Sequence, residues 1–314
     1  MFEQAVTFFL YAETPLHAGS GTGLGIVDLP IQRERVTGYP IVQASGLKGC
    51  LRDMVANHSQ SCNNPNCPFA PHANWDDKVK IVFGPETSAA SDYAGAASFS
   101  DAKILLFPVR SLVGVFAWVT STHALSRFQR DVKAAGQTLS WSWDASTSES
   151  SAFVGSKSCV VTGNRIVLEE FAFNAEFRNE VTQIGDWIAQ KALPQSPEYK
   201  CWRESLPKRL VILPEDAFRD FTQLSTEVVT RIRINDESKT VASGALWSEE
   251  LLPADSLLYA QAFASKPRVS SAPNDLSTAK QVLDFLKHCI NNKRLQIGGD
   301  TTIGRGLVSV CFLC

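Results

Sequence analysis

Residues 17–40, HAGSGTGLGIVDLPIQRERVTGYP, limit the possible folds more than any other stretch of this chain. With Gly19, Gly21, Gly23 and Gly25 at alternate positions, the segment is too polar and too costly in backbone entropy for a core strand or helix. It follows an apolar β-type run at residues 6–11 and precedes an amphipathic run that begins near Ser45. Any fold must therefore carry a long loop between its first strand and its first helix.

The glycine spacing excludes the usual phosphate cradles. Leu24 interrupts GxGxxG, and no GK[ST] follows to complete a Walker A loop, so no nucleotide cofactor is expected. His17, Asp28, Arg33 and Arg35 remain as the reactive side chains of the loop. On these residues alone two readings stand. One is a functional loop, and the other is a surface Ω-loop with Asp28 as a turn residue and Arg33 paired with Glu34 or Asp53.

Charge narrows the partners. Lys plus Arg is 30 against 32 for Asp plus Glu in 314 residues, a net charge of -2, so any nucleic-acid site must be local. The apolar run at residues 104–119 is broken by Pro108, Arg110 and Ser111, and the first residues lack a basic n-region, so no membrane association is expected. Eight cysteines without dense spacing suit a reduced, cytoplasmic protein.

Periodicity predicts the elements. Strands are expected at 6–11, weakly at 36–43, at 102–107 and 113–119 around a Pro108 turn, at 210–213, 230–234, 256–264 and 307–313, with a hairpin in 160–175. Helices are expected from Ser45, as N-cap, through Leu47, Cys50, Leu51, Met54 and Val55, and at 126–133, 183–192, 214–224 and 276–290. Residues 138–158 read as a mobile serine-rich loop, and 57–90 as an insertion with little regular structure. The class is α+β, in one domain over 1–314.

Four separated stretches carry a resemblance. PLHAGSGTGLGIVDLPIQRERVTGYP with ASGLKGCLR, DAKILLFPVRSLVGVFAWVT, TEVVTRIRINDESKTVASGALWSEELLP and IGGDTTIGRG together resemble the RAMP superfamily, in particular the repeated backbone subunits of the type III-B CRISPR effector. The resemblance implies an RRM-like, ferredoxin-like core with long insertions, one of them, within 180–250, holding a thumb-like β-hairpin. It implies copies stacked in a helical filament on guide (CRISPR) RNA beside other effector subunits, and target single-stranded RNA cut next to each thumb. It places the catalytic aspartate at Asp28, sets His17 beside the RNA, and puts Glu249 or Glu250, the latter preferred, near the cut. Mg²⁺ or Mn²⁺ would serve a lone loop carboxylate, because RNA phosphate can supply further ligands. A non-catalytic guide-binding backbone and a guide-processing endoribonuclease are the alternatives.

The expected RNA-binding residues are Ser45, Lys48 and Arg52 at the helix start, Arg33 and Arg35 in the loop, and Arg231, Arg233 and Lys239 on the thumb strand. The resemblance adds Gly298, Gly299 and Arg305 in the closing loop, which sits against the guide in this superfamily. A second constellation, His58, Cys62, Cys67 and His72, offers two nitrogens and two sulfurs in a segment poor in apolar residues, which suits a structural Zn²⁺. Some RAMP backbone subunits carry a zinc site after this helix.

Overall fold

The first apolar run forms β1, Gln4–Ala12, in which every residue from Val6 onward is buried. Successive side chains of a strand point to opposite faces, so a run without polar alternation needs cover on both. The computed structural model supplies it, and describes residues 2–23, 25–61, 67–69, 74–235, 237–269 and 272–313. After β1 come β2 (Ile41–Val42), α1 (Ala44–Ser61), α2 (Trp75–Phe83), β3 (Ala97–Phe99), β4 (Ala102–Arg110), β5 (Phe116–Ser121) and α3 (Thr122–Ala134). Then follow β6 (Ser151–Val154), β7 (Val161–Thr162), β8 (Arg165–Leu168), β9 (Phe171–Phe177), α4 (Asn179–Lys191), α5 (Lys200–Arg209), β10 (Leu210–Leu213) and α6 (Glu215–Leu224). The chain closes with β11 (Glu227–Ile234), β12 (Val241–Leu251), β13 (Leu257–Ala264), α7 (Ala279–Ile290), β14 (Lys293–Gln296) and β15 (Leu307–Phe312).

Among the described residues, every strand except β11 and β12 joins one sheet of order β14-β15-β1-β13-β4-β5-β10-β6-β9-β8-β7, with β2 on β4 and β3 on β13. The β5–β10 and β6–β9 pairs are parallel and the rest antiparallel. The central four, β15-β1-β13-β4, are joined so that α1 lies between β1 and β4 in the chain and α7 between β13 and β15. On one face, Val6, Phe8 and Leu10 pack with Leu47, Leu51 and Val55 of α1 and Phe285 and Leu286 of α7. On the other, Phe9 and Tyr11 pack with Phe128 of α3, Ile184 and Ile188 of α4, and Trp141. Each such side chain contributes about 1.5–3 kcal/mol when fully buried, which fixes β1 as the spine.

Several expectations are corrected. β4 runs through Pro108, which faces Trp118 of β5 where pairing with β13 has already ended; proline is tolerated where only one side of a strand is paired. The turn lies instead at residues 111–115. The strand expected at 36–43 shrinks to β2, with Val36 fully in solvent. Residues 138–158 are not all loop, since β6 is paired on both sides and Trp141 and Trp143 are buried, two aromatic anchors that outweigh the serine content. The expected unstructured insertion contains the last turns of α1 and all of α2. Within 180–250, β10 belongs to the large sheet, while β11 and β12 form a separate two-stranded hairpin. The helix expected from Ser45 begins one residue earlier. Ser45 sits inside its first turn, and the Ala44 N–H is capped from afar by Asp101 at 2.7 Å. No helix among the described residues is long and apolar enough to cross a membrane.

Candidate functional site

The 17–40 loop is not free. It lies along β12, and just beyond that strand's end Leu252 exchanges backbone hydrogen bonds with Leu16, the residue before the loop, at 2.8 and 2.9 Å. The Leu29 N–H donates to the Ser248 carbonyl and its carbonyl accepts from Glu250, both at 3.0 Å, so the loop adds a short parallel strip to the hairpin. Asp28 sits at the start of that strip. Its Oδ2 accepts from the Ser248 N–H and hydroxyl, each at 2.8 Å, and its own N–H donates to Ser248 Oγ at 2.9 Å. These bonds from Ser248, the backbone one first, hold the Asp28 carboxyl below the usual carboxylate range, so it is ionised at neutral pH on an exposed surface.

Behind this exposed carboxylate lies a buried ionic frame. Glu250 is 5% exposed, and its carboxylate receives Arg33, the Thr226 hydroxyl at 2.8 Å and the Ile31 N–H at 3.0 Å. Arg33 also donates to the carbonyls of Gly38 at 2.8 Å and Thr222 at 2.9 Å. The pair fastens the far end of the loop to the base of the hairpin and to α6. Arg33 thus pairs with neither Glu34 nor Asp53; Glu34 pairs with Arg127. Glu249, 4% exposed, takes Arg231 at 2.8 Å, and Arg231 bridges on to Asp300 at 2.7 Å.

The two glycine-rich segments meet at His17. Gly299 donates its N–H to the His17 carbonyl at 3.0 Å. Gly298 has φ +80°, and a Cβ there would lie 2.0 Å from that carbonyl oxygen, so both the turn and the close approach require glycine. A Cβ on Gly19 would meet His17 Nε2 at 2.7 Å. The buried imidazole donates from Nδ1 to the Glu250 carbonyl at 2.7 Å, which leaves Nε2 turned toward Glu249 Oε1 at 3.8 Å.

The structure thus brings Asp28, His17, Arg33, Arg231, Gly298, Gly299 and Glu250 into one region spanning the loop, the hairpin and the closing turn. Ser248, Glu249 and Asp300 belong to it as well. Ser248 and Asp300 carried no sequence signal of their own, although both lie inside quoted motifs. Alternation places Arg231 on the same strand face as Arg233, and in the structure its guanidinium pairs with Glu249 and Asp300.

A chain of this construction has known counterparts. The sequence profile of the RAMP superfamily matches residues 9–309. The chain belongs to the RAMP superfamily. The RAMP protein named CRISPR system Cmr endoribonuclease Cmr4, from Pyrococcus furiosus, is 40% identical over 304 residues, 96% of this chain and 93% of its own. The CRISPR system CMR subunit Cmr4 of Saccharolobus solfataricus is 29% identical, covering 98% of this chain and 96% of its own. Among solved RAMP structures, the crystal structure of oligomeric Cmr4 from P. furiosus aligns with TM-score 0.70 and 29% identity, over 99% of this chain and 98% of that one. A type III-B Cmr-beta complex bound to cognate target RNA contains a chain of the same fold, with TM-score 0.71 and 22% identity over 99% of this chain and 98% of that one.

The other basic residues expected to bind RNA make none of the frame's ion pairs. Arg35, Arg233 and Lys239 are exposed, and Arg305 is half-buried. On α1, Ser45 is exposed, while burial, with Arg52 nearby, pushes the half-buried Lys48 ammonium below its usual range. That cost would be relieved by an anion between the two cations. Of the sulfur and nitrogen constellation, His58 and Cys67 lie together, and His288 of α7 joins them; Cys62 and His72 lie outside the described residues.

Proposed function

We propose that this chain is the repeated backbone subunit of a type III-B CRISPR RNA-guided effector, binding guide RNA and cutting complementary target RNA at Asp28. The observation that carries the reading is an ionised, solvent-facing carboxylate fixed by Ser248 on a loop docked against a projecting hairpin. The order β15-β1-β13-β4, with α1 and α7 as its connections, supports a ferredoxin-like core, and β11–β12 supports the thumb. Val228, Ile232 and Leu246 on that hairpin are exposed, a surface suited to splayed bases or to the next copy in a helical filament.

The residues fit one divalent cation shared with RNA. Asp28 is ionised and accessible, and Mg²⁺ or Mn²⁺ needs only one or two carboxylates when phosphate oxygens complete its shell. Bound there, the ion would neutralise charge developing on the scissile phosphate. The 2′-hydroxyl oxygen attacks the adjacent phosphorus, its proton passing to a base, and the P–O5′ bond breaks as the 5′-oxygen gains a proton. A cyclic phosphate and a 5′-hydroxyl result. The chain's own contribution is position: Ser248 aims Asp28, while His17, held by Glu250 and Gly299, fixes the root of the loop. Glu250 and Arg33 act as loop anchors in this reading rather than as catalytic or RNA-contacting groups. Guide phosphates are assigned to the α1 start with Ser45, Lys48 and Arg52 and to the closing loop with Arg305, and the target side to Arg35, Arg233 and Lys239. The protein would work in the cytoplasm, where its RNA partners are made.

A second reading is favoured by the same geometry. The Asp28–Ser248 clamp closes the loop on the hairpin, and in this reading Asp28 serves assembly alone. Chain assembled on guide RNA separates the two when given labelled complementary RNA with Mg²⁺. The proposal expects regularly spaced products ending in cyclic phosphate and abolished by EDTA; a stable duplex left uncut would leave the structural reading.

A further inference from the structure

We infer that Arg127 of α3 is a positioning residue for Asp28, acting through Glu34 to set the β11–β12 hairpin against the sheet. The inference rests on the cutting role proposed for Asp28. That carboxylate is placed by β12, through Ser248, so any tilt of the hairpin carries Asp28 with it. Whatever holds the hairpin to the body therefore also sets where Asp28 meets RNA.

Residues 33–39 form that joint, and the neighbouring side chains Arg33 and Glu34 tie it to different elements. Arg33 goes to Glu250 of β12 and to the Thr222 carbonyl of α6. Glu34 goes to Arg127, whose two terminal nitrogens donate one to each carboxylate oxygen, Nη1 at 2.9 Å. The Thr37 hydroxyl adds a bond to Glu34 at 2.6 Å, and the Glu34 N–H donates to the Tyr39 carbonyl at 2.9 Å, which closes the segment into a turn. Tyr39 is buried edge-on against Phe218 of α6, with ring centroids 5.1 Å apart. The side chains of Arg127 and Glu34 are only 16% and 21% exposed, so salt screens their attraction little, and the two-pronged geometry fixes orientation as well as distance. Burial works against the Glu34 carboxylate, yet the Arg127 and Thr37 bonds hold it below the usual range, so the pair is charged at neutral pH.

The far side of the joint is anchored in the sheet. Phe128, next to Arg127, packs edge-on against Tyr259 of β13 at 4.9 Å. One turn further along α3, Asp131 accepts from Lys103 of β4 at 2.7 Å and from the Tyr259 hydroxyl at 3.0 Å. Arg127 thus offers the loop a fixed point on the central strands, and its guanidinium is engaged by Glu34 rather than turned to a ligand.

Chain assembled on guide RNA and given saturating complementary RNA with Mg²⁺ tests this. Arg127→Ala should cut roughly tenfold more slowly than wild type, with target affinity within about twofold. Arg127→Lys, which keeps the charge but not the fork, should recover part of the rate. Adding Glu34→Gln to Arg127→Ala should cost little more than Arg127→Ala alone, because both changes break one pair. In the free chain, hydrogen–deuterium exchange of Arg127→Ala should rise across β11 and β12 and stay at the wild-type level in β1. Should that variant fail to fold, Glu34→Gln alone carries the same two readouts. Unchanged hairpin exchange in a folded variant would overturn the inference, as would cleavage at the wild-type rate or losses that multiply in the double variant. A wild-type assembly that leaves its target uncut would defeat the proposed function instead, and hairpin exchange would then decide whether Arg127 sets the hairpin.

Discussion

Two adjacent carboxylates on β12 divide the labour of the site with Asp28. Glu249 and Glu250 alternate along the strand, so one faces Arg231 and the other Arg33, and both carboxylates are buried against half-buried cations. Removing one partner of such a pair leaves an uncompensated charge. Glu250→Ala is therefore expected to destabilise the chain by about 3 kcal/mol, read as a lower urea midpoint with unchanged slope, since Arg33 and the Ile31 N–H lose their acceptor. A change below about 0.5 kcal/mol would mean that the frame does not bear on stability. The sequence drew attention to Asp28 and to the Glu-Glu pair because they lie in motif stretches, but it could not tell anchor from exposed carboxylate. That distinction depends on Thr226 and Ile31, one far from Asp28 in sequence and the other apolar, whose hydroxyl and backbone amide satisfy Glu250.

At the scale of elements, the two glycine-rich loops behave as one unit. Their meeting at His17 explains why glycine recurs some 280 residues apart, a coupling that local patterning does not carry. Gly298→Ala must give up the positive φ or displace the His17 carbonyl, so a loss of about 1–3 kcal/mol in stability is expected, together with slower target cleavage. Unfolding curves and cleavage rates for this variant check both effects; wild-type values in both would separate the loops. Strand and helix positions with clear periodicity, such as β10 and the inward face of α7, were legible directly. The strand β6 was not, because two buried tryptophans and the partners β10 and β9 determine it rather than its serine-rich context. Likewise α2 became visible only through the aromatic cluster around Trp75.

For the whole molecule, the large sheet has a buried core on each face, and β11–β12 forms a separate two-stranded hairpin whose first strand is largely exposed. A two-stranded hairpin is marginal alone, and here the Arg231 bridge to Glu249 and Asp300 ties its base to the closing loop. In the proposed function, the sheet body holds guide RNA, the hairpin reaches between bases, and Asp28 stands where the loop docks on the hairpin. The sequence carried this organisation through its motifs, while the ionic joints that set the geometry emerged only once the strands were paired. Asp28→Ala in the guide-bound assembly tests the account most directly. It removes the exposed carboxylate while leaving the Glu250 and Glu249 frame in place. Guide and target binding should match wild type, and target cleavage should fall by on the order of 10²-fold or more. Cleavage at the wild-type rate from an intact assembly would contradict it.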